Sequence, residues 1–142
     1  MNIPVEAARP LRAWLTANAL FSGTSGAGIA IASGSLPGIL GAGGRMLYVI
    51  MGAMLCLYGL RLWWLSRRPI DPREVRVIIG ADALWVLGSI VVVVTGTLTP
   101  VGDLLVGAVA VVVGALAVGQ AASLRQSKSL VPTPVESSGR IP

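Results

Sequence analysis

The residues from Leu104 to Leu124 include no charged side chain, and those from Met46 to Trp64 include only Arg61. A charge at the centre of a bilayer costs at least about 2.5 kcal/mol, so long intervals of this kind suit hydrocarbon rather than water. Composition agrees with that solvent. With 54% hydrophobic and 12% charged residues in a chain of 142, far more apolar surface exists than a water-soluble domain of this size can bury.

Four stretches reach or approach the roughly 20 apolar residues that span the hydrocarbon. They are residues 13–32, 47–65, 77–98 and 101–121. Each contains glycine or β-branched residues, which a lipid-embedded helix accepts because no water competes for its backbone hydrogen bonds. The predicted fold class is therefore all-α, a four-helix transmembrane bundle. Residues 1–12 would form a cytoplasmic N-terminal segment. From Ser123 onward the chain mixes Pro, Ser and Thr with basic residues, which predicts a disordered tail over residues 123–142.

Local punctuation supports the division. Asp71-Pro72-Arg73-Glu74 places an acid at an N-cap, proline at the first helical position and an acid at N3, a pattern that resembles a capping box. Thr99-Pro100 is a similar start for the fourth helix, with Asp103 in the first turn where the helix dipole favours an anion. Ser35-Leu36-Pro37-Gly38 closes the first helix, leaving residues 39–44 as an interfacial turn of helix or a glycine-rich loop.

Basic residues set the orientation. Arg9, Arg12, Arg67, Arg68, Arg73, Arg76, Arg125, Lys128 and Arg140 flank one side of the spans, and Arg45 alone flanks the other. Both termini and the central loop are thus expected in the cytoplasm. The formal charge of +5 is read as this topological signal and not as a nucleic-acid surface, since no basic face interleaved with aromatics exists. A cleaved signal peptide ending near Ala30-Ile31-Ala32 is the alternative for the first helix.

An internal repeat favours a permanent first helix. Ala17-Asn18-Ala19-Leu20-Phe21 aligns with Ala81-Asp82-Ala83-Leu84-Trp85, and Ser25 with Ser89, at an offset of 64 residues. Pro37 falls near Pro100 at a similar offset. Each half would be one helical hairpin, so the bundle would be two tandem hairpins related about the membrane normal.

The repeat places Asn18 and Asp82 at equal depth, about one and a half turns inside the cytoplasmic boundary of their helices. Arg61 and Gln120 lie near the cytoplasmic ends of the second and fourth helices, and Ser89 follows Asp82 along one helix face. Two readings of this intramembrane polar cluster stand side by side. Asp82 is a proton or cation site with Arg61 as its partner, or the cluster is a structural clamp whose bonds each contribute about 0.6 to 2 kcal/mol. Arg61 has its own alternative. It lies roughly opposite Gly52, Cys56 and Gly59 and can snorkel to the headgroups, beside an interfacial belt of Trp63 and Trp64.

Small residues recur at helical spacing, at Ser22, Gly26 and Ala30 and again at Gly107, Ala110, Gly114, Ala117 and Ala121. They fit close packing within the bundle, or on the fourth helix a homodimer or partner membrane protein. Catalytic constellations are missing. Without histidine, and with Cys56 alone, the chain has no imidazole base, no thiolate cluster and no disulfide, so neither an enzyme nor a cofactor or metal is expected.

The phrases Asn18-Ala19-Leu20-Phe21-Ser22 with Ser25-Gly26, and Asp82-Ala83-Leu84-Trp85-Val86-Leu87-Gly88-Ser89, resemble a group of small uncharacterised bacterial four-helix membrane proteins. The resemblance implies the fold and a bacterial inner-membrane location; membrane lipids are expected as partners on the apolar composition of the spans. The resemblance carries no catalytic or binding residue onto this chain. Small multidrug-type exporters share the size and the embedded acid, but theirs is a glutamate on the first helix, where this chain has Asn18.

Overall fold

The computed structural model describes residues 8–129, which are helical with no strand among them. Five α-helices follow in order: α1 (Arg9–Ile31), α2 (Leu36–Leu40), α3 (Arg45–Arg67), α4 (Pro72–Val94) and α5 (Pro100–Ser129). The all-α class is as expected. The four predicted spans correspond to α1, α3, α4 and α5, while α2 is a short additional helix in the connection between α1 and α3.

Three of the helices, α3, α4 and α5, are long and apolar enough to cross a membrane. Only 22%, 17% and 22% of their respective apolar windows is buried within the protein, and large side chains such as Leu57, Leu84 and Val111 point outward. So much outward-facing apolar surface is untenable in water, and the protein is membrane-embedded. The expectation of four comparable apolar spans holds for three. α1 has the same 23 residues as α3 and α4, but Asn18, Ser22, Thr24, Ser25 and its glycines dilute its hydropathy. The reason is its place: Leu11, Leu15, Asn18, Ala19, Ser22 and Gly26 of α1 are all buried against the other helices.

α1 and α3 form the tightest pair. A Cβ added at Gly26 would lie 2.6 Å from the Gly52 carbonyl oxygen, one at Gly52 would lie 2.6 Å from the Gly26 oxygen, and one at Gly59 2.8 Å from the Ala19 oxygen. Backbone meets backbone along this seam, so only glycine fits, and the Cys56 thiol donates to the Gly23 carbonyl at 3.6 Å within it. The small-residue spacing on α1 and α3 is thus packing inside the chain. On the other side of α1, the Trp14 ring seats on Gly119 of α5, where a Cβ would come within 2.6 Å of the indole. The α4–α5 seam is looser: a Cβ at Gly107 would meet nothing, and one at Gly114 only Val86 at 3.9 Å.

All four long helices converge at the end that carries the α3–α4 loop. Leu11 and Leu15 of α1, Leu62 and Leu65 of α3, Val75 and Ile78 of α4 and Leu124 of α5 make one core there with Ile70. Arg12 ties off this end by donating to the Ser66 and Arg68 carbonyls, which satisfies acceptors left free at the end of α3. At the opposite end α2 docks on the α4–α5 turn: the Thr99 amide donates to the Leu40 carbonyl at 2.9 Å and its hydroxyl to the Ile39 carbonyl at 2.5 Å. Positive φ at Gly41 and Gly43 lets the chain turn back from α2 into α3.

Several helix ends differ from the expectation. α5 continues beyond residue 121 to Ser129 because Ser123, Leu124 and Ser127 are buried against the core, so residues 123–129 are helix and not disordered tail. The rest of that tail and residues 1–7 lie outside the described residues. Helix α1 begins at Arg9, inside the predicted N-terminal segment. α4 ends at Val94, short of residue 98, where Gly96 adopts φ 61°. Thr99 caps α5 as expected, accepting from the Gly102 amide at 3.0 Å. Asp71 caps α4 by accepting from the Arg73 amide at 2.8 Å, but Glu74 does not complete a capping box, because Arg68 captures it in an ion pair. Asp71→Ala should cost about 1 kcal/mol in unfolding measurements in detergent, and an unchanged midpoint would mean that the cap contributes nothing.

Candidate functional site

Asp82 lies on α4 about 15 Å along the axis from the start of that helix. Its carboxylate is the meeting point of the four long helices. Asn18 Nδ2 of α1 donates to Oδ2 at 2.7 Å, the Tyr58 hydroxyl of α3 donates to Oδ1 at 2.9 Å, and Gln120 Nε2 of α5 approaches Oδ2 at 3.5 Å. The Ser22 hydroxyl donates to Asn18 Oδ1 at 3.1 Å, which orients the amide so that its NH2 faces Asp82. Asn18, Asp82 and Gln120 are respectively 1%, 4% and 0% exposed.

The pairing of Asn18 with Asp82 joins the two residues that the internal repeat equates. The hairpins themselves are not equivalent. α1 closes on α5 through Trp14 and Gly119, whereas α3 and α4, which would be the matching pair, are bridged by Tyr58 and leave a gap beyond it.

That gap is a cavity of about 430 Å³. Its lining includes Phe21 and Ser25 of α1, Leu47 and Tyr58 of α3, Asp82 and Trp85 of α4 and Val113 of α5. The α3 lining runs from Leu47 to Tyr58, so Asp82 and Tyr58 stand at the end of the cavity nearest the buried core. Apart from Asp82, no charged side chain lines it.

Of the five residues predicted as a cluster, the structure joins Asn18, Asp82 and Gln120. Ser89 is buried, but its hydroxyl donates to the Trp85 carbonyl of its own helix at 2.9 Å and takes no part. Arg61 is exposed and forms no hydrogen bond or ion pair among the described residues, so it is not part of the polar layer; its position on α3 points it away from the glycine seam. At the same end of α3, Arg67 and Arg68 lie 4.2 Å over the rings of Trp63 and Trp64.

Tyr58 is the member that sequence reasoning misses, since the helical wheel groups it with the outward face of α3. A signal does exist: a phenolic hydroxyl in mid-span requires a partner, and Asp82 is the acceptor at its depth. Among the described residues, Gln120 Oε1 is buried without a partner, and no group of metal-ligating side chains occurs. Three neutral donors around one carboxylate, on the wall of an apolar cavity, make an arrangement suited to fixing helix positions and to presenting a single acid to whatever enters. No family model, curated protein or solved structure matches the chain.

Proposed function

We propose that this chain is a four-span protein of a bacterial inner membrane, built as two tandem hairpins with both termini cytoplasmic, and that it binds an apolar molecule between α3 and α4 without catalysing a reaction. The observation that carries the reading is the cavity of about 430 Å³ on the lipid-facing side of the tightest helix pair. Its size falls within the range of small-molecule sites. α1 serves as the fourth span, its polar residues turned toward Asp82 and the α3 seam. The clustering of basic residues at the end where Arg12 and the α3–α4 loop lie supports the orientation.

The absence of histidine and of a second cysteine supports a binder over an enzyme. Its occupant is a membrane lipid or an apolar ligand, and the looser α4–α5 groove around Gly107 and Gly114 offers a face for a second copy or a partner membrane protein. A second reading, a subunit of a small proton- or cation-coupled transporter, is favoured by the placement of Asp82 on the cavity wall and not in a sealed core.

Native mass spectrometry of the protein released from mild detergent tests the binding reading. The wild type should retain a bound lipid or small molecule, and Ser25→Trp, which fills the cavity from α1, should lose it. Retention at the same level in Ser25→Trp would overturn the assignment of the site. A green fluorescent reporter fused after Pro142 should fluoresce in the cytoplasm; a dark reporter of normal abundance would overturn the orientation.

A further inference from the structure

Resting on that binding reading, we infer that the ligand of the cavity is a lipophilic cation: an apolar aliphatic or aromatic body carrying one ammonium group, seated with its charge against Asp82.

The apolar walls select the body. Phe21, Tyr58 and Trp85 present aromatic surface to the cavity, and aromatic faces attract both apolar groups and cations. Asp82 selects the charge. The carboxylate is held by neutral donors alone, and no cationic side chain of the described chain bonds to it, since Arg61 stands on the exposed face of α3. A carboxylate offers about four acceptor positions, of which three are taken, so one remains for a ligand. In a medium of low dielectric the attraction between this acid and a cation entering beside it far exceeds its value in water.

Other ligand classes fit less well. An anion meets repulsion from Asp82. An uncharged lipid fills the walls but leaves the acid without a counter-charge. A phospholipid carries its ammonium beside a phosphate, so a headgroup amine reaching Asp82 would bring a second anion close to the carboxylate. A ligand with one positive charge and no compensating anion avoids that penalty.

The test uses the full-length protein in nanodiscs of zwitterionic lipid, titrated with benzyltriethylammonium and with its uncharged carbon isostere. Saturable change in tryptophan fluorescence, corrected for empty nanodiscs, reports occupancy beside Trp85. The wild type should bind the cation at least about tenfold more tightly than the isostere, a difference of about 1.4 kcal/mol. In Asp82→Asn this preference should vanish while binding of the isostere persists, and Ser25→Trp should abolish both. The wild-type comparison alone is decisive and does not depend on either variant folding. Equal binding of cation and isostere would overturn the cationic ligand and leave the apolar site intact; saturable binding of neither would overturn the site as well.

Discussion

Gly52→Leu is expected to separate α1 from α3 and to remove the folded protein. In the native seam a Cβ at position 52 would already lie 2.6 Å from the Gly26 oxygen, 2.8 Å from the Ala30 nitrogen and 2.9 Å from the Ala30 Cβ. Overpacking a core typically costs about 1–3 kcal/mol when side chains can shift to absorb it. Here two of the three obstructing atoms are backbone, which no rotamer change can move, so the cost should exceed about 3 kcal/mol. In lipid this contact is also the main source of affinity, because leucine and lipid tails are equally apolar and only close approach adds dispersion. The expected result is loss of the monodisperse peak in size-exclusion chromatography and a collapse of the thermal midpoint. Gly80→Leu and Gly88→Leu serve as controls, since a Cβ at either position meets nothing within 4 Å. A Gly52→Leu protein that elutes and melts like the controls would show that the seam is not what holds the helices together.

That seam is legible in the residues themselves, because Gly52, Cys56 and Gly59 repeat at the spacing of a helix face and so do Ser22, Gly26 and Ala30. The meeting of Asn18 with Asp82 is legible through a different signal, the offset of 64 residues between two matching phrases. What escapes the sequence depends on how long side chains bend and on which helices stand apart. Tyr58 is one residue from Gly59 and therefore about 100° around α3 from it, which a helical wheel reads as outward. Its ring nevertheless reaches back from the flank of the seam to Asp82. Arg61, three residues further on, is exposed and forms no hydrogen bond or ion pair among the described residues, so charge complementarity alone points to the wrong partner for the acid. The cavity has no local signal at all. It arises because α1 closes on α5 around Trp14 while α3 and α4 do not close in the same way, and that asymmetry follows from which hairpin carries glycine opposite a large ring.

Asp82→Leu should lower the unfolding free energy in detergent micelles by about 2–4 kcal/mol. Embedding an acid in hydrocarbon is itself unfavourable, which taken alone would make an apolar replacement stabilising. The penalty, however, falls on the separated helices too, because α4 stays in the membrane when the tertiary contacts are lost. The folded state relieves it by gathering Asn18, Tyr58 and Gln120 around the carboxylate, and the leucine variant leaves those donors buried without an acceptor. Individual interhelical hydrogen bonds in membranes average about 0.6 kcal/mol and reach about 1.7, so two short bonds and one long one set the lower part of the range. Stranding the donors sets the upper part. The cluster also predicts non-additivity. Tyr58→Phe should destabilise the wild type by about 1 kcal/mol but change little in the Asp82→Leu background, where the hydroxyl has already lost its acceptor, whereas Arg61→Gln should be silent in both. Full additivity of Tyr58→Phe and Asp82→Leu would mean that the two side chains are not coupled, and an Asp82→Leu protein as stable as the wild type would mean that the four helices are held by apolar packing alone. Asp82 would then have no structural role, and its place on the cavity wall would be left to ligand binding.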